Sequence, residues 1–394
     1  MYDIVQLKPG REAATGFRHP WIFSGALLNI PPDLESGSLV YVTDRQKKII
    51  GTGMYSKQSS IAVRLLDFQE AVIDQGWITA AIKAAHERRL LMGFGPSTDT
   101  TGYRVVFSET DNLPGLIVDR YNDVIVLQIS TAGMDALRSL VIAACQEIFN
   151  PRAIVERSDL GIRKEEALRP IEAVHVGSIS EPVEFTEHDQ KFLADVKEGQ
   201  KTGFFLDQRD LRQHVQQFSK NKKVLNLFSY TGSTSIAALA GGATHVHNVD
   251  MSIEALELGK KQAVLNGFSE DQFLNEEADV FQWLNTHQEP EYDMVIVDPP
   301  ALTKSKKDTE SAAQAYHFLN RAALRLVKPG GIFVTSSCSK FFTADDLAFT
   351  LRRASVQSGK TLSVLKHVSQ ASDHPQSVYF PESLYLKSYI CLVD

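Results

Sequence analysis

The chain has 394 residues, 43% of them hydrophobic and 23% charged, which is enough apolar matter for more than one packed core and excludes an intrinsically disordered chain. A net charge of −7 excludes a protein that coats nucleic acid over its whole surface, while leaving room for a local basic face. No run reaches the roughly 18 unbroken apolar residues of a membrane span, MYDIVQLKPGRE carries no apolar leader core, and Cys145, Cys338 and Cys391 lie too far apart for metal-ligand or disulfide spacing, so a cytoplasmic protein with no metal is expected.

Residues 1–66 alternate apolar and polar positions between turns, as in SLVYVTDRQKKIIGTGMYS and SSIAVRLLD, and predict short strands closing into a small β-barrel. This stretch holds eight Lys or Arg against five Asp or Glu, so any RNA contact is expected to involve it. HPWIFSG, from His19 to Gly25, is dense in aromatics and reads on pattern as barrel core. A helical period follows over 74–92, then a Gly/Pro-punctuated break over 93–101. YRVVFSE, GLIVDRYNDVIVLQI (two strands about Asn122) and AIVERSD read as strands, with a helix near 135–149. This is an α+β segment in which no residue pattern demands chemistry. Residues 183–197 read as a hairpin or extended crossing, and KTGFFLDQRDLRQHVQQF opens a helix whose Leu211, Val215 and Phe218 share a face.

Residues 223–250 are the most informative. Val224 to Phe228 form a short buried-strand run, Ser229 to Gly232 a turn, Ser233 to Ala240 an Ala-rich helix stopped by Gly241-Gly242, and His245 to Val249 a strand that ends at Asp250. Such a βαβ unit binds a cofactor across the carboxyl ends of its strands, with the acid placed for ribose hydroxyls. The turn reads FSYTGS and lacks GxGxxG, which argues against a pyrophosphate-bearing nicotinamide cofactor and suits S-adenosylmethionine, which has no phosphate. Further strand and helix alternation predicts a helix over 254–265, a strand over 294–297 ending in Asp298-Pro299-Pro300, a helix over 314–327 stopped at PGG, a strand over 332–335 ending in Ser336-Ser337-Cys338-Ser339, and a helix over 344–355. Residues from about 201 onward therefore predict one doubly wound α/β domain.

Strand ends line the ligand crevice of such a sheet, here 226–232, Asp250, Asp279, Asp298 and Cys338. Each has a plainer reading: an acid after a strand caps helices, DPP makes a rigid turn, and a single Cys fills a core. Their joint order, NLFSYTG, VD, D, DPP, PGG, SCS, resembles the class I S-adenosylmethionine-dependent methyltransferases. KTGFFLDQR, LFSYTG, DPP, SCS and DHPQSVYFPESLYLK, with LKPGRE…HPWIFSGAL, ETDNLPGLIVDRY and ERSDLGIRKEEAL, resemble the bacterial ribosomal RNA large subunit methyltransferase I family, whose members make 5-methylcytosine in 23S ribosomal RNA.

The resemblance implies a PUA-like RNA-binding domain (1–70), a central α+β domain (71–185), a hairpin or linker (186–200), a Rossmann-like methyltransferase domain (201–394) and a homodimer. It implies cofactor contacts from Phe205, Gln208, Arg209, Asn226, Phe228, Ser229, Tyr230, Gly232, Asp250, Ser252, Asp279, Asp298 and Pro299, with Cys338 as nucleophile and Asp298 against the cytosine N3/N4 edge. Two departures stand out. Asn226 occupies a position that usually holds an acid facing the methionine ammonium, and Ala301 follows DPP where a bulkier residue is usual. A guanine methyltransferase without a nucleophilic Cys and a non-enzymatic RNA-binding assembly protein are the alternatives.

Overall fold

The computed structural model describes residues 2–303 and 306–394. They form two compact units: one of Met1–His188, Leu193–Leu206 and Ser372–Ser383, the other of Asp189–Phe192, Asp207–Ala371 and Leu384–Asp394.

The first unit begins with β1 (Asp3–Leu7), a short α1 (Ala13–Gly16), β2 (Trp21–Phe23), β3 (Leu27–Asn29), β4 (Leu39–Thr43), β5 (Ile49–Tyr55) and β6 (Ile61–Asp67), in a six-stranded sheet ordered β2-β6-β5-β4-β1-β3. Val, Ile, Leu and Tyr fill the long strands, as a pleated half-buried surface favours. The edge strands β2 and β3 are joined by a single 3₁₀ turn, and Ile22 and Leu27 enter the same core as Val5, Val40 and Val63, so the sheet wraps around one interior. That core omits Phe17 and Phe23, which are exposed. The HPWIFSG aromatics are therefore only partly core, which corrects the reading from pattern.

α2 (Gln75–Leu91) is capped by Asp74, whose carboxylate accepts the Trp77 N–H at 2.9 Å. Its buried residues Ile78, Ile82, Ala85 and Arg89 fall on one stripe. They pack on a five-stranded sheet ordered β11-β10-β9-β8-β7, made of β7 (Gly102–Phe107), β8 (Leu116–Tyr121), β9 (Val124–Ile129), β10 (Ala153–Ser158) and β11 (Ile171–Val176). The helix expected over 135–149 is two helices, α3 (Ala132–Ala136) and α4 (Arg138–Phe149), meeting at Leu137, whose ψ of 3° ends the first. Met134, Leu137 and Val141 all reach the same core, keeping the i, i+3, i+7 spacing of one helical face across the break. β12 (Val183–Glu187) and β13 (Gln190–Ala194) pair as a two-stranded sheet.

Buried charges organise this unit. Arg89, fully buried, grips Asp111 with two hydrogen bonds of 2.7 Å, and Arg104 grips Asp119 with two of 2.8 Å. The segment Ser372–Ser383 is seated on the same groups: the Asp373 carbonyl accepts from Arg89 Nη2 at 2.9 Å, and its carboxylate accepts the Arg104 N–H at 2.9 Å. Thr202 donates to Asp119 at 2.7 Å.

The second unit is a seven-stranded sheet ordered β16-β15-β14-β17-β18-β20-β19. Its elements are α5 (Arg209–Phe218), β14 (Lys223–Leu227), α6 (Ser233–Ala240), β15 (His245–Asp250), α7 (Ile253–Leu265), β16 (Phe273–Glu277), α8 (Val280–Thr286), β17 (Tyr292–Val297), α9 (Thr309–Arg325), β18 (Val327–Ser337), α10 (Ala344–Ser358), β19 (Leu362–Ser369) and β20 (Lys387–Val393). β14 to β18 run parallel and β20 antiparallel to both neighbours. Two boundaries differ from expectation. α9 starts at Thr309, and β18 runs through Pro329-Gly330-Gly331 because its register with β17 jumps from Tyr292↔Val327 to Met294↔Ile332, taking 328–331 out of that ladder while Gly331 pairs with Val393 of β20. The connections leave β14 toward β15 on one side and β17 on the other, so the switch point of the sheet lies between β14 and β17, where crevices form.

Candidate active site

The turn after β14 is wound into the left-handed region at three of its five residues: Phe228 (φ 60°), Tyr230 (φ 49°) and Gly232 (φ 65°). For aromatic side chains this conformation costs about 1–3 kcal/mol each, and such strain is held where it serves a site. Gly232 can have no side chain, since a Cβ there would sit 2.7 Å from the Phe273 ring. The winding aims the Tyr230 N–H at Asp250 Oδ2 (2.8 Å), and the Ser252 N–H meets Oδ1 (3.0 Å). The carboxylate at the end of β15 is thereby fixed by one donor per oxygen, leaving each oxygen a second lone pair for hydroxyls.

Asn226 lies at the head of a polar ladder. Asn226, Asn248 and Asn275 are register partners on β14, β15 and β16. Asn226 Nδ2 donates to Ser235 Oγ (3.0 Å), Ser235 Oγ to Asn248 Oδ1 (2.5 Å), and Asn248 Nδ2 to Asn275 Oδ1 (3.0 Å). With one amide hydrogen committed to Ser235, the Asn226 side chain keeps its oxygen and its second N–H for a ligand.

Gln208 Nε2 donates to Asp298 Oδ2 at 2.5 Å, tying the start of α5 to the end of β17, where Pro299 is buried and Ala301 exposed. Arg209, 1% exposed, opens α5. Asp279 caps α8 by accepting the Gln282 N–H (3.0 Å), and Ser252 caps α7 by accepting that of Ala255 (3.2 Å). These two have the plainer role that strand-end polar residues often fill. Phe228 meets Phe281 edge-on at 6.0 Å. Phe205 belongs to the first unit, where Lys201 Nζ lies 4.1 Å from its ring centroid.

Cys338 is half-buried just beyond β18, between buried Ser337 and Ser339, whereas Cys145 and Cys391 are fully buried. Its position is held from three sides. Tyr316 donates to Ser337 Oγ (2.9 Å), Thr303 N–H to Ser339 Oγ (3.4 Å), and Lys387 Nζ to the Ser339 carbonyl. Burial pushes the Tyr316 phenol up to about 12 and the Lys387 ammonium down to about 8, the latter opposed by the charge of Cys338.

Sequence reasoning passed over Lys387 and Tyr316. Lys387 had a readable signal, a lysine opening the mostly apolar strand LKSYICLV; Tyr316 had none, since a tyrosine inside a helical run reads as packing.

A family model for S-adenosylmethionine-dependent methyltransferases matches residues 162–375, and one for a PUA-like domain matches residues 5–68. Ribosomal RNA large subunit methyltransferase I of Klebsiella pneumoniae (strain 342) is 35% identical over 399 residues, spanning 100% of this chain and 99% of that protein. Its counterpart from Pseudoalteromonas atlantica (strain T6c / ATCC BAA-1087) is 38% identical over 400 residues, spanning 100% of both. The chain belongs to the ribosomal RNA large subunit methyltransferase I family. Its fold is also that of SMU.776, solved as a complex with SAH (TM-score 0.85, 22% identity, 99% of this chain and 100% of that one).

As a member of this family the chain is an S-adenosylmethionine-dependent methyltransferase, and its own residues suit that cofactor. Ser229 Oγ, in the wound turn, is buried with no hydrogen-bond partner among the described residues, which a polar ligand group would satisfy. With Asp250 taken as the ribose acceptor, a charged hydrogen bond of about 1.5–3 kcal/mol is at stake. Asp250→Ala is expected to weaken S-adenosylmethionine binding roughly tenfold to a hundredfold by calorimetry. Unchanged affinity in a folded variant would remove Asp250 from the site.

Proposed function

We propose that the enzyme methylates C5 of a cytosine in 23S ribosomal RNA, with Cys338 as a covalent nucleophile. The observation that carries this reading is the setting of Cys338: a half-exposed thiol one residue past β18, braced by Tyr316, Thr303 and Lys387, on the strand next to the one that ends in Asp298. Cytosine C5 is a poor nucleophile until a group adds at C6. The Cys338 thiolate forms the S–C6 bond, and the electron pair of the C5–C6 double bond moves to C5 and the ring. S-adenosylmethionine, when bound, would supply an electrophilic methyl group to C5, the methyl–sulfur bond breaking with its electron pair left on sulfur as the neutral thioether S-adenosylhomocysteine. Loss of the C5 proton to a base then re-forms the double bond and expels the thiolate.

Asp298, oriented by Gln208, faces the N3/N4 edge and steadies the charge that develops on the ring. Asn226 Oδ1 accepts from the methionine ammonium, Asp250 from the ribose, and Arg209, Phe228, Ser229, Ser252, Asp279 and Pro299 complete the cofactor site. The PUA-like module (1–70) and central domain (71–185) deliver the RNA to the methyltransferase domain (201–394), in the cytoplasm and as a homodimer.

Nucleoside mass mapping of 23S ribosomal RNA from a strain lacking the protein tests the product. One 5-methylcytosine is expected to vanish and to return on complementation; loss of a methylguanine instead would overturn the cytosine reading.

A further inference from the structure

The exposed rings of the first unit gather in one place. Phe17 is 77% exposed, Tyr379 50% and Phe23 49%, beside Val378 at 88%. They are mounted on an ordered base: Phe380 packs 4.7 Å from the Trp21 ring and 5.7 Å from His19, and Phe23 stands edge-on to Trp21 at 6.4 Å. A hollow of about 350 Å³ is walled by Arg11, Trp21 and Phe23, and one of about 520 Å³ by Phe17, Arg18 and Tyr379.

The charges here are sorted. The acids that touch the cluster are engaged by its inner rings, Glu109 accepting from Trp21 Nε1 (2.8 Å) and Glu382 lying 3.4 Å from His19 Nε2, and both are half-buried. Arg11 and Arg18 are exposed, and Arg18 sits 5.8 Å over the Tyr379 ring. The core of the N-terminal sheet closes without these rings, so packing does not account for them. A two-fold contact centred on this face would enclose Arg11 and Arg18 of both copies in one interface, four like charges, which disfavours that occupant.

We propose that this face, built jointly by residues 11–23 and by Val378 and Tyr379 of the segment Ser372–Ser383, binds unpaired nucleotides of the RNA substrate, with bases stacking on the rings and phosphates meeting Arg11 and Arg18. The inference deepens the RNA reading given above and rests on it. Aromatic faces bind bases that are already unstacked, and an enzyme that works on a base atom requires such a strand. It follows that a segment more than 350 positions along the chain from Arg18 is part of the RNA-binding surface.

The test uses the full chain, a short unstructured RNA and a duplex of the same length, with affinity read by fluorescence anisotropy across salt concentrations. Wild type is expected to favour the single strand. Phe17→Ala with Tyr379→Ala, both surface changes, should weaken it roughly fivefold to a hundredfold with an unchanged salt slope, whereas Arg18→Ala should lower the slope by about one ion. S-adenosylmethionine affinity and sedimentation should stay as in wild type. Unchanged single-strand affinity in the double variant, a duplex preference, or a shift in oligomeric state marking the face as a contact between copies would overturn the inference alone. Failure of wild type to bind either RNA would overturn it together with the RNA reading.

Discussion

Alanine at Cys338 is expected to abolish methyl transfer while leaving S-adenosylmethionine affinity and thermal stability near wild type. The thiol is half-buried and its removal empties little core, whereas the covalent step proposed for it has no substitute among the other cysteines: Cys145 and Cys391 are fully buried, and burial pushes both thiols up to about 12. Loss of a nucleophile costs roughly 10⁴-fold or more in kcat. Single-turnover methylation of 23S ribosomal RNA measures the loss, and RNA carrying 5-fluorocytosine should trap wild type covalently, because fluorine blocks the final elimination. Trapping should be absent from the alanine variant. Appreciable methylation by Cys338→Ala would sink the covalent mechanism and favour a guanine target.

The second large effect lies away from the chemistry. Asp111→Ala strands Arg89, fully buried, without its carboxylate, and breaking a buried pair of this kind costs about 3–5 kcal/mol, a sizeable part of a domain's usual stability. Arg88 bonds the same Asp111 oxygen at 2.7 Å, yet its side chain is 45% exposed, so Arg88→Ala should cost under about 1 kcal/mol. Urea unfolding separates the two, and equal losses would contradict the burial argument. The pH dependence has a definite sign. Burial by itself would raise the Asp111 pKa, but the charge of Arg89, hydrogen bonds from Arg89 and Arg88, and the Phe107 N–H together hold it below 3.8. A depressed folded value means that the stabilisation is complete above pH 3.8 and is lost as pH falls through the folded pKa; the alanine variant should lack that acid-side loss.

The contrast between these sites shows what the sequence makes legible. The βαβ unit over 223–250 could be read because its signals are local: an apolar run, a small-residue turn, a glycine pair and an acid at a strand end. Asn226 looked like a defect for want of an acid, because its meaning depends on Asn248 and Asn275 lying opposite it, and register across three strands is not visible along one. Asp373 and His374 were equally opaque. In DHPQSVYFPES they resemble loop residues, yet both are at most 1% exposed, since the groups that make burial tolerable sit on distant strands and helices. Phe23 failed in the other direction: the aromatic density of HPWIFSG was taken for core, when this ring faces solvent.

The seating of Asp373 also imposes an order of events during synthesis. Arg104 leaves the ribosome 269 residues before the carboxylate that accepts its N–H. At translation speeds of about 5–20 residues per second, that is an interval on the order of tens of seconds. Chain collapse takes microseconds, so the N-terminal half condenses long before its last buried partner exists. The nascent protein therefore passes through a prolonged state in which Arg89 and Arg104 wait beside an open slot. A messenger truncated short of codon 373 yields a first unit with that slot permanently unfilled, whose instability marks it for proteolysis although every residue of its two N-terminal sheets has been made.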